Sequence, residues 1–296
     1  MTAPILVATD FSDTAGLALK RGVQIAKSRK AGVHLLHVVE GDIWSGLAEL
    51  IGLRDGNDHD RLHDQLIADL KELGRAVEKS SSIKVTTELR NGPVTREMID
   101  CATVTGARLQ VMGGHGAGKL RDLATGSTAE RLLRQATRPT LVVNYPVGEP
   151  YLKVLLPVDF SNWSEASLRT VRKLLPDAEI VLLHAVSLSY EPQLRHAGVT
   201  GAEIDYYREQ EHKKAQAELA MLRADIGDPN NKISLRTING DVASAILAVA
   251  GDENADLVAI GKHGRGMIEE WLLGSVTQHI LASAPCDVLV CGNSAL

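Results

Sequence analysis

A glycine-rich motif with the residue types of a phosphate-binding loop occurs twice in the 296-residue chain. The first copy is Gly113-Gly114-His115-Gly116, followed after nine residues by Gly126-Ser127. The second copy is Gly261-Lys262-His263-Gly264, again followed after nine residues by Gly274-Ser275. Glycine lets the backbone turn with a positive φ and approach a ligand closely. Because a Gly-Ser pair that opens a helix offers N–H groups, a hydroxyl and the positive end of the dipole, each copy predicts an anion site.

An aspartate at the end of a strand-like run recurs in both halves of the chain. Asp10 ends the run that begins at Ile5, and Asp159 ends the matching run that begins at Val154. Such an aspartate commonly serves only as a turn residue or a helix cap. A carboxylate near strand ends can instead accept hydrogen bonds from sugar hydroxyls, whereas it would need a cation to lie against phosphates. Its recurrence beside the glycine motif favours the sugar contact, and with it a whole nucleotide.

The motif differs from the common nucleotide-binding and catalytic signatures. The chain lacks the P-loop pattern G-x-x-x-x-G-K-[ST], and the glycines follow the fourth predicted strand of each half instead of the first. It also lacks the patterns HExxH and GxSxG and any acid pair placed for acid–base work. We expect His115 and His263 to serve in the turn or at the edge of the ligand instead of in catalysis, and His37 and His184 to be structural histidines. The sequence therefore favours binding over rapid turnover.

Short apolar runs alternate with amphipathic segments of helical period in both halves, which is the pattern of βαβ units. The matching elements lie at a nearly constant interval, which indicates a duplicated domain. We predict two tandem α/β domains, residues 1–146 and 151–296, each with a five-stranded parallel sheet of order 3-2-1-4-5 and the fifth strand at the edge. Residues 41–57 and 187–201 are predicted to be insertion loops, with lids or partner surfaces as the alternative. Ligands of such sheets bind beyond the carboxyl ends of the strands, at the switch point.

The amino-acid composition argues against several classes of binding partner. With 44% hydrophobic and 23% charged residues the chain is typical of a soluble globular protein. Only 3% aromatic residues and a net charge of −5 argue against a nucleic-acid or anionic-membrane binder. We expect no signal peptide, because the first residues lead directly into a strand, and no membrane span. Three cysteines without a CxxC pair argue against disulfides and a zinc site. Because so few cysteines suit a reducing compartment, we expect a cytoplasmic location.

These residues give the chain a resemblance to a tandem universal stress protein of the ATP-binding type. The features that carry it are the two G-2x-G-9x-G-[ST] motifs, the Asp-Phe-Ser segments at Asp10–Ser12 and Asp159–Ser161, and the Leu-Leu-His strands ending at His37 and His184. The resemblance covers essentially the whole chain. It implies two Rossmann-like domains of the adenine nucleotide alpha hydrolase type, with ATP as ligand, with or without Mg²⁺ bridging its phosphates.

The resemblance also implies a role for individual residues. The phosphates would meet Gly113, Gly116, Gly126 and Ser127 in the first half and Gly261, Gly264, Gly274 and Ser275 in the second. The ribose would meet Asp10 and Asp159, the adenine would meet Val38 and Ala185, and the nucleotide would also touch Met112 and Ile260. Because Arg265 adds a cation that the first half lacks at the matching position, the two sites are expected to differ in affinity.

Three functions stay open at the level of sequence. The leading hypothesis is a regulatory protein of stress adaptation that binds ATP without rapid turnover. The first alternative is a slow ATPase or an autophosphorylating phosphotransferase, against which the missing P-loop lysine and general base count. The second is an interaction module whose pockets hold a different ligand or none.

The fifth strands, Thr140–Val143 and Asp287–Val290, are predicted to be sheet edges. Exposed edges are a liability unless they are paired. By the resemblance, the two halves would pair through these strands as an intramolecular pseudo-dimer. A further homodimer is left open by the sequence.

Overall fold

The structure is a computed structural model that describes residues 3–40, 56–114, 127–187, 191–264 and 272–292, with the backbone alone at residues 56–60 and Pro192. The chain divides between Pro150 and Tyr151 into two compact units. Strands and helices alternate along the chain in both units, as expected of βαβ connections.

The first unit contains a five-stranded parallel sheet. Its elements are β1 Ile5–Ala8, α1 Asp13–Arg29, β2 Val33–Val39, α2 Gly56–Ser81, β3 Val85–Asn91, α3 Val94–Thr105, β4 Leu109–Gly113, α4 Ser127–Gln135 and β5 Thr140–Val143. The strand order is β3-β2-β1-β4-β5, with every neighbouring pair parallel. The predicted fold class and the order 3-2-1-4-5 are therefore confirmed.

The second unit repeats this topology. Its elements are β6 Lys153–Pro157, α5 Asn162–Leu174, β7 Glu179–Val186, α6 Glu191–His196, α7 Gly201–Ile226, β8 Ile233–Asn239, α8 Val242–Asp252, β9 Leu257–Gly261, α9 Ser275–Ser283 and β10 Asp287–Cys291. The order β8-β7-β6-β9-β10 is again 3-2-1-4-5.

The short helix α6 lies within residues 187–201, where the sequence predicts only a loop, and that prediction is wrong. Glu191 stabilises the helix, because it forms an ion pair of 2.8 Å with Arg195 one turn later. It also pairs with Arg208 of α7. The two ion pairs join the short helix to the long one, a contact that local composition could not reveal.

The longest helices in the described part of the chain are α2 and α7, with 26 residues each. A capping box begins α7, since Thr200 and Glu203 each bond the other's backbone N–H. Both helices carry charged residues along their length. Of the helices in the described ranges, none combines the length and apolar character that a bilayer span requires.

A hydrophobic cluster packs between the first sheet and helices α3 and α4. Leu6, Leu36, Met98, Met112 and Leu132 belong to it, and all five are buried. Strands of a parallel sheet are buried on both faces, and for this reason β1, β2 and β4 are nearly continuous apolar runs in the sequence. Because β1 and β4 are parallel neighbours, their carboxyl ends lie side by side at the same edge of the sheet. The aspartate and the glycine motif follow at those two ends.

A buried tyrosine–aspartate contact stabilises the second unit. Tyr151, which is 4% exposed, donates a hydrogen bond of 2.6 Å from its hydroxyl to Oδ2 of Asp287, which is 2% exposed. Replacing Tyr151 with phenylalanine should lower the free energy of unfolding by about 1.5 to 3 kcal/mol, the range for a hydrogen bond to a charged group. Urea denaturation measures the change. Tyr207→Phe, at a position that is 52% exposed, is the matched control, and equal effects of the two variants would contradict the prediction.

Candidate functional site

A cavity of about 460 Å³ opens in the second unit beyond the carboxyl ends of β6, β7 and β9. Its position is the switch point of the sheet, where β6 lies between β7 and β9. The volume is typical of small-molecule sites. Its wall contains Asp159, the two glycines at the exit of β9, and the first residues of α9.

The Asp-Phe-Ser segment after β6 holds Asp159 in a fixed orientation. Oδ1 of Asp159 accepts hydrogen bonds from the backbone N–H and the hydroxyl of Ser161. The Ser164 hydroxyl also donates to this oxygen, at 2.6 Å, and accepts from the Asp159 N–H at 3.0 Å. Because one carboxylate oxygen already accepts three bonds, the side chain is anchored through Oδ1. Oδ2 lies 3.1 Å from the point where a Cβ on Gly264 would be.

The phenylalanine of the same segment has a left-handed backbone. Phe160 has φ 58° and its counterpart Phe11 has φ 61°, a conformation that bulky residues rarely adopt. The Phe160 ring packs on His184 with 4.6 Å between centroids. His184 in turn donates from Nδ1 to the Val158 carbonyl at 2.7 Å, as expected of a structural histidine. Backbone strain of this kind is concentrated at functional sites.

The glycines at the exit of β9 are required by close approach. A Cβ on Gly261 would lie 3.1 Å from Cβ of Trp163, and a Cβ on Gly264 would lie 3.1 Å from Oδ2 of Asp159. The expectation of a positive φ is wrong at Gly113, Gly114, Gly261 and Gly264, none of which has φ between +20° and +160°. Positive values occur instead at Gly92 and Gly240, which follow β3 and β8, with φ 144° and 136°.

The start of α9 borders the cavity with backbone groups. Gly274 is the N-cap residue, and among the described residues no side chain caps this helix by a hydrogen bond. The Gly274 N–H donates to the Lys262 carbonyl at 3.2 Å, which ties the helix start to the glycine motif. The first N–H groups of a helix have no intrahelical acceptor and carry the positive end of the dipole. This wall of the cavity therefore suits an anion.

Part of the cavity lining is apolar. Pro157, Ala185, Val242, Ile246 and Ile260 line it. Ile260 is 7% exposed and directly precedes Gly261, the last residue of β9. Such a surface can hold a flat apolar group by burial and dispersion. The cavity thus combines an apolar side, one oriented carboxylate and a helix start.

The first unit brings together the matching residues that the structure describes. Asp10 follows β1 and accepts hydrogen bonds from the N–H and hydroxyl of Ser12. Met112 is buried at the end of β4, and Val38 packs against the same hydrophobic cluster. A Cβ on Gly113 would lie 2.9 Å from the backbone carbon of Thr14, so the strand exit again requires glycine.

The remaining predicted residues fall at or beyond the limits of the described ranges. Ser127 begins α4 and is exposed. Gly116, Gly126 and Arg265 lie outside the described residues. The second unit is therefore the one in which the predicted residues can be compared as a group. There, Asp159, Ala185, Ile260, Gly261, Gly264, Gly274 and Ser275 all line one cavity.

Some lining residues were missed by sequence reasoning. Val242 and Ile246 have a detectable signal, because Val94 and Met98 occupy the matching positions after the repeated Asn-Gly pair. Ser164 has none, since the first half has Ala15 at that position. The serine changes the anchoring of the aspartate: Asp159 has a third donor to Oδ1 that alanine cannot supply to Asp10.

Comparison with known proteins agrees with this architecture. The sequence profile of the Universal stress protein family matches residues 1–144 and again residues 150–292. The chain therefore belongs to the universal stress protein family and contains two copies of its domain.

Some relatives match nearly the whole chain and others match about half of it. A universal stress protein of Mycolicibacterium smegmatis is 28% identical over 97% of this chain and 96% of its own length. Universal stress protein YxiE of Bacillus subtilis is 29% identical, over 47% of this chain and 97% of its own length. A crystal structure of a universal stress protein from Archaeoglobus fulgidus superimposes with a TM-score of 0.71 at 19% identity, covering 99% of this chain and all of that one. This last likeness concerns the fold.

Proposed function

We propose that the protein binds adenine nucleotides, with ATP as the principal ligand, and acts as a regulatory protein of stress adaptation without rapid turnover. The observation that carries the proposal is the cavity of the second unit. It combines an apolar side, an oriented aspartate and a helix start without a side-chain cap. A nucleotide needs these three environments for its base, its sugar and its phosphates.

Each part of the nucleotide has a proposed partner in the second unit. The adenine lies against Ala185, Ile246 and Ile260, where burial of its faces contributes to affinity. The ribose hydroxyls donate to Oδ2 of Asp159. The phosphates accept hydrogen bonds from the backbone around Gly261 and Gly264 and from Gly274 and Ser275 at the start of α9. Arg265 adds a positive charge near the phosphates, and Mg²⁺ bridging them is compatible with this arrangement.

A second site in the first unit is proposed from the matching residues. Asp10 would meet the ribose, Val38 and Met112 the base, and the phosphates would meet Gly113, Gly116, Gly126 and Ser127. Asp10 is exposed, and Ala15 stands where Ser164 donates to Asp159 in the second unit. The difference at this position supports unequal affinities of the two sites.

Binding without rapid turnover is supported by the side chains around the cavity. Phosphoryl transfer needs a residue that orients or deprotonates the attacking group. His184 is fixed by the hydrogen bond from its Nδ1 to the Val158 carbonyl and by packing on the Phe160 ring, and Asp159 is anchored by three donors to Oδ1, so both side chains have structural roles. The alternatives remain a slow ATPase or phosphotransferase, and an interaction module with another ligand or none.

We also propose a location and an assembly for the protein. The three cysteines are buried free thiols, which supports a reducing compartment such as the cytoplasm. Pairing of the two halves through their fifth strands, as an intramolecular pseudo-dimer, stays a prediction from the family resemblance, and so does any homodimer.

Mass spectrometry of small molecules released from the denatured protein tests the proposed function against both alternatives. We expect an adenine nucleotide, chiefly ATP, in amounts of up to two per chain. A slow ATPase would in addition release phosphate from added ATP well above a double variant, Gly116→Val with Gly264→Val. A different ligand, or none, together with failure to bind added ATP, would contradict the proposal in favour of an interaction module.

A further inference from the structure

Three side chains of the first unit bring potential metal ligands together, away from the aspartate and glycine motif. His34 lies on β2, Glu88 on β3 and Cys101 on α3. His34 Nε2 is 2.9 Å from Glu88 Oε2, and Cys101 Sγ is 3.7 Å from the same oxygen. One ligand atom from each residue can be chosen so that all three lie within 4.8 Å of one another.

Neighbouring side chains orient two of these ligands by hydrogen bonds to the atoms that would not bind the metal. His34 Nδ1 is 2.8 Å from the Thr86 hydroxyl, so that Nε2 points to Glu88. Arg90 donates from Nε to Oε1 of Glu88 at 2.6 Å, which leaves Oε2 on the side of His34 and Cys101. Metal-binding histidines and carboxylates usually have such outer partners, which fix the ring and carboxylate orientation. The charge of Arg90 is also balanced by Glu97, at 3.5 Å.

The cluster is enclosed but has one accessible side. Cys101 is fully buried and His34 nearly so, whereas the Glu88 side chain is 33% exposed on β3, the outer strand of this unit's sheet. Cysteine coordinates a metal as its thiolate, so binding would release the proton of the Cys101 thiol. The exposed side of Glu88 is where a cation and water would approach the cluster.

We propose that His34, Glu88 and Cys101 form a zinc site in the first unit, with the fourth position taken by water. Zinc accepts nitrogen, oxygen and sulfur ligands together, in tetrahedral geometry. Ligand atoms around zinc are about 3.3 to 3.8 Å apart, so no pair here needs to move by more than on the order of 1 Å. Cysteine spacing does not predict this site, because its ligands come from three separate elements.

The second unit provides an internal comparison. Val181, Arg236 and Val249 occupy the positions that match His34, Glu88 and Cys101. There Arg236 pairs with Glu253, which also accepts from Lys153 at 3.2 Å. The same fold therefore forms without the three ligands, so their combination in the first unit is not a requirement of the topology.

Zinc uptake by the full-length, nucleotide-free and chelator-treated protein tests the proposal. Native mass spectrometry and equilibrium dialysis should detect one zinc ion per chain that is bound at least tenfold more tightly than by the variants His34→Val or Cys101→Ser. Zinc should raise the melting temperature of the wild type and not that of the variants. Cys286→Ser, which removes another buried thiol, should retain the ion. Uptake that is absent, or equal in the wild type and both variants, would overturn the site.

Cobalt provides a test whose decisive measurement is made on the wild-type protein. Substitution of Co²⁺ into the wild type should give the near-ultraviolet absorption of a cobalt–thiolate bond, which Cys286→Ser should preserve. The lack of such a band in the wild type would overturn the proposal by itself. ATP binding is measured separately, so a failure of the zinc site leaves the proposed function untouched.

Discussion

Replacing Gly264 with valine is expected to lower the affinity of the second unit for ATP by about 10- to 100-fold. A Cβ at this position would already lie 3.1 Å from Oδ2 of Asp159, and the two further methyl groups would occupy the approach of the ribose and phosphates. Overpacking of this kind costs about 1 to 3 kcal/mol, and each 1.4 kcal/mol is about tenfold in affinity. Equilibrium dialysis with labelled ATP measures the effect at the two sites.

The matched control for this substitution is Gly251→Val. A Cβ on Gly251 meets open space, and the residue lies in α8 outside the cavity lining. Thermal unfolding of both variants should resemble that of the wild type. If Gly264→Val binds two ATP molecules with the affinities of Gly251→Val, the proposed binding of the phosphates next to Gly264 is wrong.

Changing Asp159 to asparagine is expected to weaken ATP binding by about 10- to 100-fold, because a hydrogen bond to a charged group contributes about 1.5 to 3 kcal/mol. The amide keeps the shape of the side chain, but it lacks the charge, and the three donors to Oδ1 fix which of its atoms faces the ligand. Affinity for ATP, measured by calorimetry, gives the size of the effect. Asp177→Asn, whose side chain is 99% exposed, controls for the loss of one negative charge.

A ligand without sugar hydroxyls separates a ribose contact from a general loss of structure. The Asp159→Asn substitution should hardly change the affinity for 2′,3′-dideoxy-ATP, because this ligand has no hydroxyl to donate. The loss of binding free energy for ATP minus the loss for the dideoxy analogue then gives the interaction energy between Asp159 and the ribose hydroxyls. Equal losses for ATP and the dideoxy analogue would show that Asp159 acts on the cavity and not on the ribose.

The elements that the sequence predicts well are those that occur twice. Strand order and fold class follow from alternating apolar runs with matching partners in the other half. Five of the seven predicted residues that line the cavity of the second unit belong to the aspartate and glycine motifs, which recur after corresponding strands, whereas Ala185 and Ile260 come from the family resemblance. Duplication distinguishes such residues from ordinary turn residues, which composition alone cannot do.

The features that the sequence does not predict depend on contacts between distant residues. Gly113 was expected to need a positive φ, but its constraint comes from Thr14 at the start of α1. Ser164 anchors Asp159 and has no counterpart in the first half. The ligands of the proposed zinc site meet only because β2 and β3 pair and α3 packs on them. Strand register and helix packing determine which of these distant residues come into contact.

Calorimetric titration of the nucleotide-free full-length protein with ATP, adenosine and tripolyphosphate tests the central claim most directly. The account predicts saturable binding of ATP that is tighter than that of either fragment, because base, ribose and phosphate environments line one cavity. It also predicts that Gly264→Val removes the tighter of two sites. No detectable ATP binding, or tripolyphosphate binding as tight as that of ATP, would contradict a nucleotide site.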